Sequence, residues 1–206
     1  MATLLATGCT TTVIIPFWEN PNEVVEAVTV SDREFDSSVT FNGPEVWNYF
    51  ERTYSSDNLP AYNASLMAMR DKKTGKVRHL VKIRWNYRRQ LGPMSLRSPK
   101  LINGSQSLPS THDIEEDCPE PEWICERETR GRTRCKKVEY ICRYFEKLIT
   151  SLPDGFLERA TTGVKLSYSG SNYNGTFFVE FSQIYVTGFL AGVAENMKPY
   201  EKPAKP

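Results

Sequence analysis

Histidine is nearly missing from this chain: His79 and His112 are the only two among 206 residues. Imidazole is the commonest general acid–base group and the usual partner of a nucleophilic serine or cysteine. Its scarcity argues against those reaction classes and leaves carboxylate-only chemistry as the enzymatic alternative. The motifs of other chemistries are missing as well. There is no Gly-x-Ser-x-Gly, no His-Glu-x-x-His, no Walker loop and no Gly-x-Gly-x-x-Gly after a strand. No apolar run reaches the roughly 18 residues that a membrane span requires, and Met1 to Phe17 carries no charge, so the basic region of a secretory leader is lacking. No membrane partner, cofactor or metal is expected.

Net charge is also scarce, at +1, but its distribution is uneven. Residues 1–69 hold 9 acids against 2 bases, and residues 70–100 hold 11 bases against 1 acid. Residues 101–126 then hold 7 acids and no base, and residues 127–147 hold 8 bases against 3 acids. Two basic blocks thus sit between acidic ones, which fits either pairing within the chain or a polyanionic partner.

Aromatics, by contrast, are plentiful at 12%, the mark of a chain that builds a core. Thr10–Phe17, Val24–Val30 and Ser38–Phe41 are rich in strand-forming residues. Gly43-Pro44 reads as a helix start, with Val46, Trp47, Phe50, Thr53 and Tyr54 on one face. Ala64–Met69 and Val77–Arg88 read as a hairpin turning at Asp71–Lys76. Val77, His79, Val81, Ile83, Trp85 and Tyr87 alternate with Arg78, Leu80, Lys82, Arg84, Asn86 and Arg88, so one face packs and the other is a row of cations. Residues 92–134 look irregular, apart from a short strand at Leu96–Ile102. Lys136–Thr150 has a helical stripe of Val138, Ile141, Cys142, Phe145, Leu148 and Ile149. A last hairpin runs from Val164–Ser169 through Asn174-Gly175 to Thr176–Phe189, whose second arm is apolar on both faces and is expected to be central in its sheet.

These elements predict an α+β fold: one antiparallel-sheet-dominated domain over residues 1–206. Its two principal helices, about 44–55 and 136–150, are each followed by a β-hairpin. Tyr49-Phe50-Glu51-Arg52 and Tyr144-Phe145-Glu146-Lys147 suggest a helix–hairpin duplication, 44–91 and 136–190, joined by the irregular loop 92–134.

Cys118, Cys125, Cys135 and Cys142 form a symmetric series, with six, nine and six residues between them. Six is too wide for the paired thiolates of a zinc knuckle. Free thiols are the expectation, with Cys142 buried on its helix and Cys118 and Cys125 reactive in the loop. Disulfides are the alternative. Asn63-Ala-Ser, Asn103-Gly-Ser and Asn174-Gly-Thr match glycosylation acceptors, a pattern without weight where no export signal is seen. Asp113, Glu115, Glu116 and Asp117 lack the spacing of a calcium loop.

The nucleic-acid candidates are Lys72, Lys73, Lys76, Arg78, Lys82, Arg84, Arg88 and Arg89 on the first hairpin. Arg130, Arg132, Arg134, Lys136 and Lys137 form a second cluster. Rows of this kind neutralise phosphates. Asn174-Gly-Thr-Phe-Phe-Val-Glu-Phe-Ser-Gln-Ile-Tyr-Val186 resembles the closing strand of jelly-roll coat proteins of small icosahedral RNA viruses. The resemblance implies a jelly-roll-like β-sandwich and a self-assembling shell with RNA on its inner side. The chain departs from that family in lacking a basic N-terminal arm and in its two helices. The reading is therefore a non-enzymatic binding or structural protein of viral type, meeting RNA or another polyanion through a basic hairpin. The alternative is a protein–protein interaction module with internally paired charge blocks, whose partner is another protein or a second copy. A small carboxylate-site enzyme comes third. The expected location is inside the cell, or the virion for a coat protein.

Overall fold

The structure, a computed structural model, describes residues 12–15, 18–50, 61–89, 93–102, 107–118, 123–127, 133–137, 142–171 and 173–200. The expected class holds: the chain is an α+β protein dominated by antiparallel strands. Strand β1 (Thr12–Ile15) is followed by helix α1 (Pro21–Ala27) and strands β2 (Thr29–Ser31), β3 (Ser38–Asn42) and β4 (Val46–Phe50). The long hairpin β5 (Ala61–Asp71) and β6 (Val77–Arg89) lies as expected, followed by β7 (Leu96–Leu101). Strands β8 (Ser110–Asp117), β9 (Trp123–Arg127), β10 (Thr133–Lys137) and β11 (Cys142–Ser151) come next. A short helix α2 (Phe156–Arg159), the hairpin β12 (Val164–Gly170) and β13 (Tyr173–Phe181), and helix α3 (Gln183–Met197) complete the order, ending in a 3-10 turn at Lys198–Tyr200.

The large sheet runs β1-β4-β5-β6-β11-β8, with β3 sharing an edge of β5 with β4 and carrying β2. A second sheet of three strands runs β13-β12-β7, and β9 pairs with β10 alone. One core joins the two larger sheets and the helices. Trp85 of β6 lies between Tyr62 of β5 and Tyr168 of β12, at ring distances of 6.0 and 6.2 Å. The Tyr62 hydroxyl donates to the Phe178 carbonyl of β13. Helix α3 closes the core with Tyr185, Phe189 and Val193, all buried. It packs on α1, and Gly188 makes that approach possible, because a Cβ there would stand 2.3 Å from the Pro21 carbonyl oxygen.

Both principal helices were misplaced. Residues 46–50 form β4, and residues 51–60 lie outside the described residues. Gly43-Pro44 marks not a helix start but the break between β3 and β4. The Gly43 N–H donates to the Leu66 carbonyl, the Pro44 carbonyl accepts from the Tyr185 hydroxyl at 2.6 Å, and a Cβ on Gly43 would meet that hydroxyl at 2.7 Å. Residues 142–151 form β11. Tyr144, Glu146, Leu148 and Thr150 point inward, while Arg143, Phe145 and Lys147 point out. The inward Glu146 spoils the alternation of apolar letters, and the outward Phe145 completes a false helical stripe. Both segments expected to open a helix–hairpin repeat therefore open with strands.

Three further expectations fail. Val24–Val30 is largely helix α1, because Asn20 caps it, accepting from the N–H groups of Asn22 and Glu23, with Pro21 in the first turn. Residues 92–134 hold β7, β8, β9 and the start of β10 rather than a loop with one strand. The apolar run Thr176–Phe189 breaks at Ser182, whose hydroxyl accepts from the Tyr185 N–H and starts α3. Strand β13 thus ends at Phe181 and stands at the edge of its sheet, not the centre. Gln183 to Val186, the last residues of the stretch that resembles a coat-protein closing strand, are helical.

Candidate binding face

The outer face of the large sheet is built by the pleat. In β6, His79, Val81, Ile83, Trp85 and Tyr87 turn into the protein, while Arg78, Lys82, Arg84 and Asn86 turn out, as the alternation requires. Leu80 interrupts this outer row, opposite Met67 of β5, and both are buried.

The neighbouring strands set what stands beside the cations. The register places Lys147 of β11 across from Arg84 on one side and Asp113 of β8 on the other. Phe145 likewise stands between Asn86 and Glu115, and Arg143 between Arg88 and Asp117. On the far side of β6, Asn63 of β5 faces Arg84 and donates to Glu45 at 2.7 Å, and Glu45 is also the ion-pair partner of Arg84. Across the face the order is carboxylate, a cationic band two strands wide, then a carboxylate row on the last strand of the sheet. A groove of about 700 Å³ crosses it, lined by Glu45, Arg84, Asp113, Glu115, Phe145 and Lys147 among others. Phe145 is 38% exposed, with the Arg143 guanidinium 5.8 Å from its ring centre. Burial, with a smaller contribution from Lys147, pulls the Lys82 ammonium pKa below its ordinary value.

The sequence-derived cations fall into three groups. Lys72 pairs with Asp32 at 2.7 Å and Lys76 with Asp154 at 2.9 Å. Each holds its carboxyl below the ordinary aspartate range, chiefly through the hydrogen bond from its ammonium group. Lys73 is exposed in the turn. Arg78, Lys82 and Arg84 are on the face just described, and Arg88 and Arg89 continue β6 opposite Arg143 and Cys142. The second cluster lies elsewhere. Arg134, Lys136 and Lys137 belong to β10 in the two-stranded sheet, where Arg134 stands opposite Glu126. Arg130 and Arg132 lie outside the described residues. Reasoning from single segments missed Glu45, Asn63, Asp113, Glu115, Phe145 and Lys147, because only the strand register brings them to Arg84.

The signal that could have found that register was in the cysteines. Cys118 and Cys142 form a disulfide, contrary to the expectation of free thiols. It lies just past the Asp117–Arg143 pair, at the end of the β8–β11 ladder. Cys135 is disulfide-bonded as well and stands directly opposite Cys125. Every pair in β8–β11 and in β9–β10 is equidistant from Arg130. The symmetric series is the mark of cross-strand positions in two ladders that share one register. Glu116 lies beside the Cys118–Cys142 bond, its Oε1 2.8 Å from the Cys118 sulfur, but a cystine offers no thiolate to a metal.

No protein-family model, curated protein or solved structure matches this chain. Among the described residues no helix is long and apolar enough to cross a membrane.

Proposed function

We propose that the chain is a non-enzymatic binding domain that docks a protein partner on the outer face of its large sheet, in an oxidising compartment. The observation that carries this reading is the order of charge across the face. Neighbouring strands lie about 4.8 Å apart. Phosphates laid over β11 would therefore sit inside the roughly 8 Å screening length at physiological salt from Asp113, Glu115 and Asp117, and those over β6, about 9.6 Å away, near its margin. A polyanion would be repelled along the very band that attracts it. A protein partner can set carboxylates over Arg84 and Lys147, a cation over the β8 row, and an apolar side chain against Phe145. Aromatic anchors ringed by polar groups are the usual make-up of such contacts. The Cys118–Cys142 cystine supports an oxidising compartment, since disulfides are rare where thioredoxin and glutathione keep thiols reduced.

The test pans the purified, oxidised chain against a random displayed-peptide library, with titration of a fluorescent single-stranded RNA in parallel. The expected result is enrichment of peptides that combine both charge signs with an aromatic. Arg143→Glu with Lys147→Glu should abolish their binding at unchanged thermal stability. RNA binding that weakens steeply with salt and vanishes in the same variant would assign the face to a polyanion instead.

A further inference from the structure

We propose that Asn174 is an N-glycosylation site and that Asn63, which carries the same acceptor pattern, is not; the inference rests on the oxidising compartment argued above. Two observations independent of the pattern separate the two positions. The first is the ladder. Strand β13 is the edge of its sheet, and its pairing with β12 slips: Gly170 faces Tyr173 while Ser169 faces Thr176. Asn174 and Gly175 are the residues left over by that slip, a bulge in an edge strand. Asn63, by contrast, is paired on both sides, with Trp47 of β4 and Arg84 of β6.

The second observation concerns the hydroxyl that the acceptor pattern requires. Thr176 is exposed, whereas Ser65 is buried at 3% exposure. The Asn63 amide is itself engaged, donating to Glu45 at 2.7 Å. A sugar on that nitrogen would displace Glu45 and cover the groove beside Arg84. Strand β13, which carries Asn174, belongs to the other sheet, which packs on the opposite, buried face through Tyr62 and Trp85. Asn103 lies outside the described residues.

The transfer needs one co-reactant, a lipid-linked oligosaccharide pyrophosphate. The Asn174 amide nitrogen attacks C1 of the first sugar, the Nδ2–C1 bond forms, and the C1–O bond to the lipid pyrophosphate breaks. The pyrophosphate leaves as the anion, and the amide proton passes to a base of the transferase. No oxidant or reductant enters.

The experiment expresses the full chain behind a cleavable leader in a eukaryotic cell. Glycosidase digestion in heavy-oxygen water then marks each formerly occupied asparagine as a labelled aspartate. Secreted and retained protein are both mapped, so a misfolded variant is still scored. The expected map shows label at Asn174 and none at Asn63. Thr176→Ala should remove one glycan, and Thr176→Ser should restore it. An unlabelled Asn174, or an Asn63 labelled as heavily, overturns the proposal. Cysteine pairing is read on the same molecules. A cystine at Cys118–Cys142 with a bare Asn174 sinks the site and leaves the compartment reading standing. Free thiols at both cysteines in lumenal protein sink the compartment reading.

Discussion

A carboxylate shut away from water is costly unless donors surround it, and Glu146, 1% exposed, is surrounded. The N–H groups of Ser95 and Leu96 donate to it at 3.0 and 3.3 Å, the Tyr87 hydroxyl donates as well, and the His112 Nε2 lies 2.8 Å away. One side chain therefore ties β11 to β6, to β8 and to the turn before β7, where Ser95 adopts a left-handed φ of 50°. Glu146→Ala should cost roughly 3–5 kcal/mol, since the partners of a buried charge are left stranded. Glu146→Gln should cost less, because it keeps an acceptor oxygen; urea denaturation of both variants checks the ranking. His79 makes a different prediction. Burial lowers its pKa, against opposing pulls from Glu158, 3.7 Å away, and from Asp154. The folded state thus binds its proton less readily than the unfolded chain does, so unfolded molecules carry more protons between the two pKa values. The His79 contribution is present above the ordinary value of 6.5 and is lost as pH falls from there towards the folded-state pKa. Denaturation midpoints should decline across that window, and His79→Phe should flatten the decline.

The ladders β8–β11 and β9–β10 show why some elements were readable and others were not. Strand β6 follows, apart from Leu80, the rule that apolar and polar residues alternate, so the turn of the hairpin and the facing of its second arm were evident from the sequence, while β5 runs from Ala61 to Asp71, beyond the expected Ala64–Met69. Strand β11 breaks the rule, with Glu146 and Thr150 buried and Phe145 exposed, and only its partners reveal it. Its cysteines carried the register: positions symmetric about one residue are what antiparallel pairing produces. Peptide mapping of the oxidised protein should find Cys118 joined to Cys142, and the register predicts Cys125 joined to Cys135. Replacing Cys118 and Cys142 by Ser should cost about 3.5 kcal/mol, the loop-closure value for a sequence separation of 24. Thiol labelling under native conditions should leave both sulfurs unmodified. In β13 the two faces differ in depth: Phe181 is 1% exposed and Phe178 42%. Phe181→Ala should therefore cost roughly 3–5 kcal/mol, and Phe178→Ala well under half of that, as read from unfolding curves.

For the molecule as a whole, hydrophobic pattern and turn chemistry were enough to read the class, the β5–β6 hairpin, β3, β7 and the inward set of β6. They were not enough for α1 and α3, whose starts depend on single capping side chains, Asn20 and Ser182, inside stretches rich in β-branched or aromatic residues. Nor could they assemble the candidate face, which draws on residues 45 to 147, from four strands and the residue before β4. Among the described residues, that assembly leaves the outer side of β8 without a neighbouring strand. Strand β8 ends the large sheet, and its residues from Ser110 to Asp117 are almost all exposed. A strand edge of this length is a template on which another molecule of the same chain can add itself, and repetition of that step gives fibres or precipitate. Asp113, Glu115 and Asp117 set like charge against like whenever two such edges meet. The acidic run is thus also a colloidal safeguard. Asp113→Asn, Glu115→Gln and Asp117→Asn together should leave the monomer folded, by circular dichroism, yet make light scattering rise with protein concentration, whereas the unaltered chain stays clear.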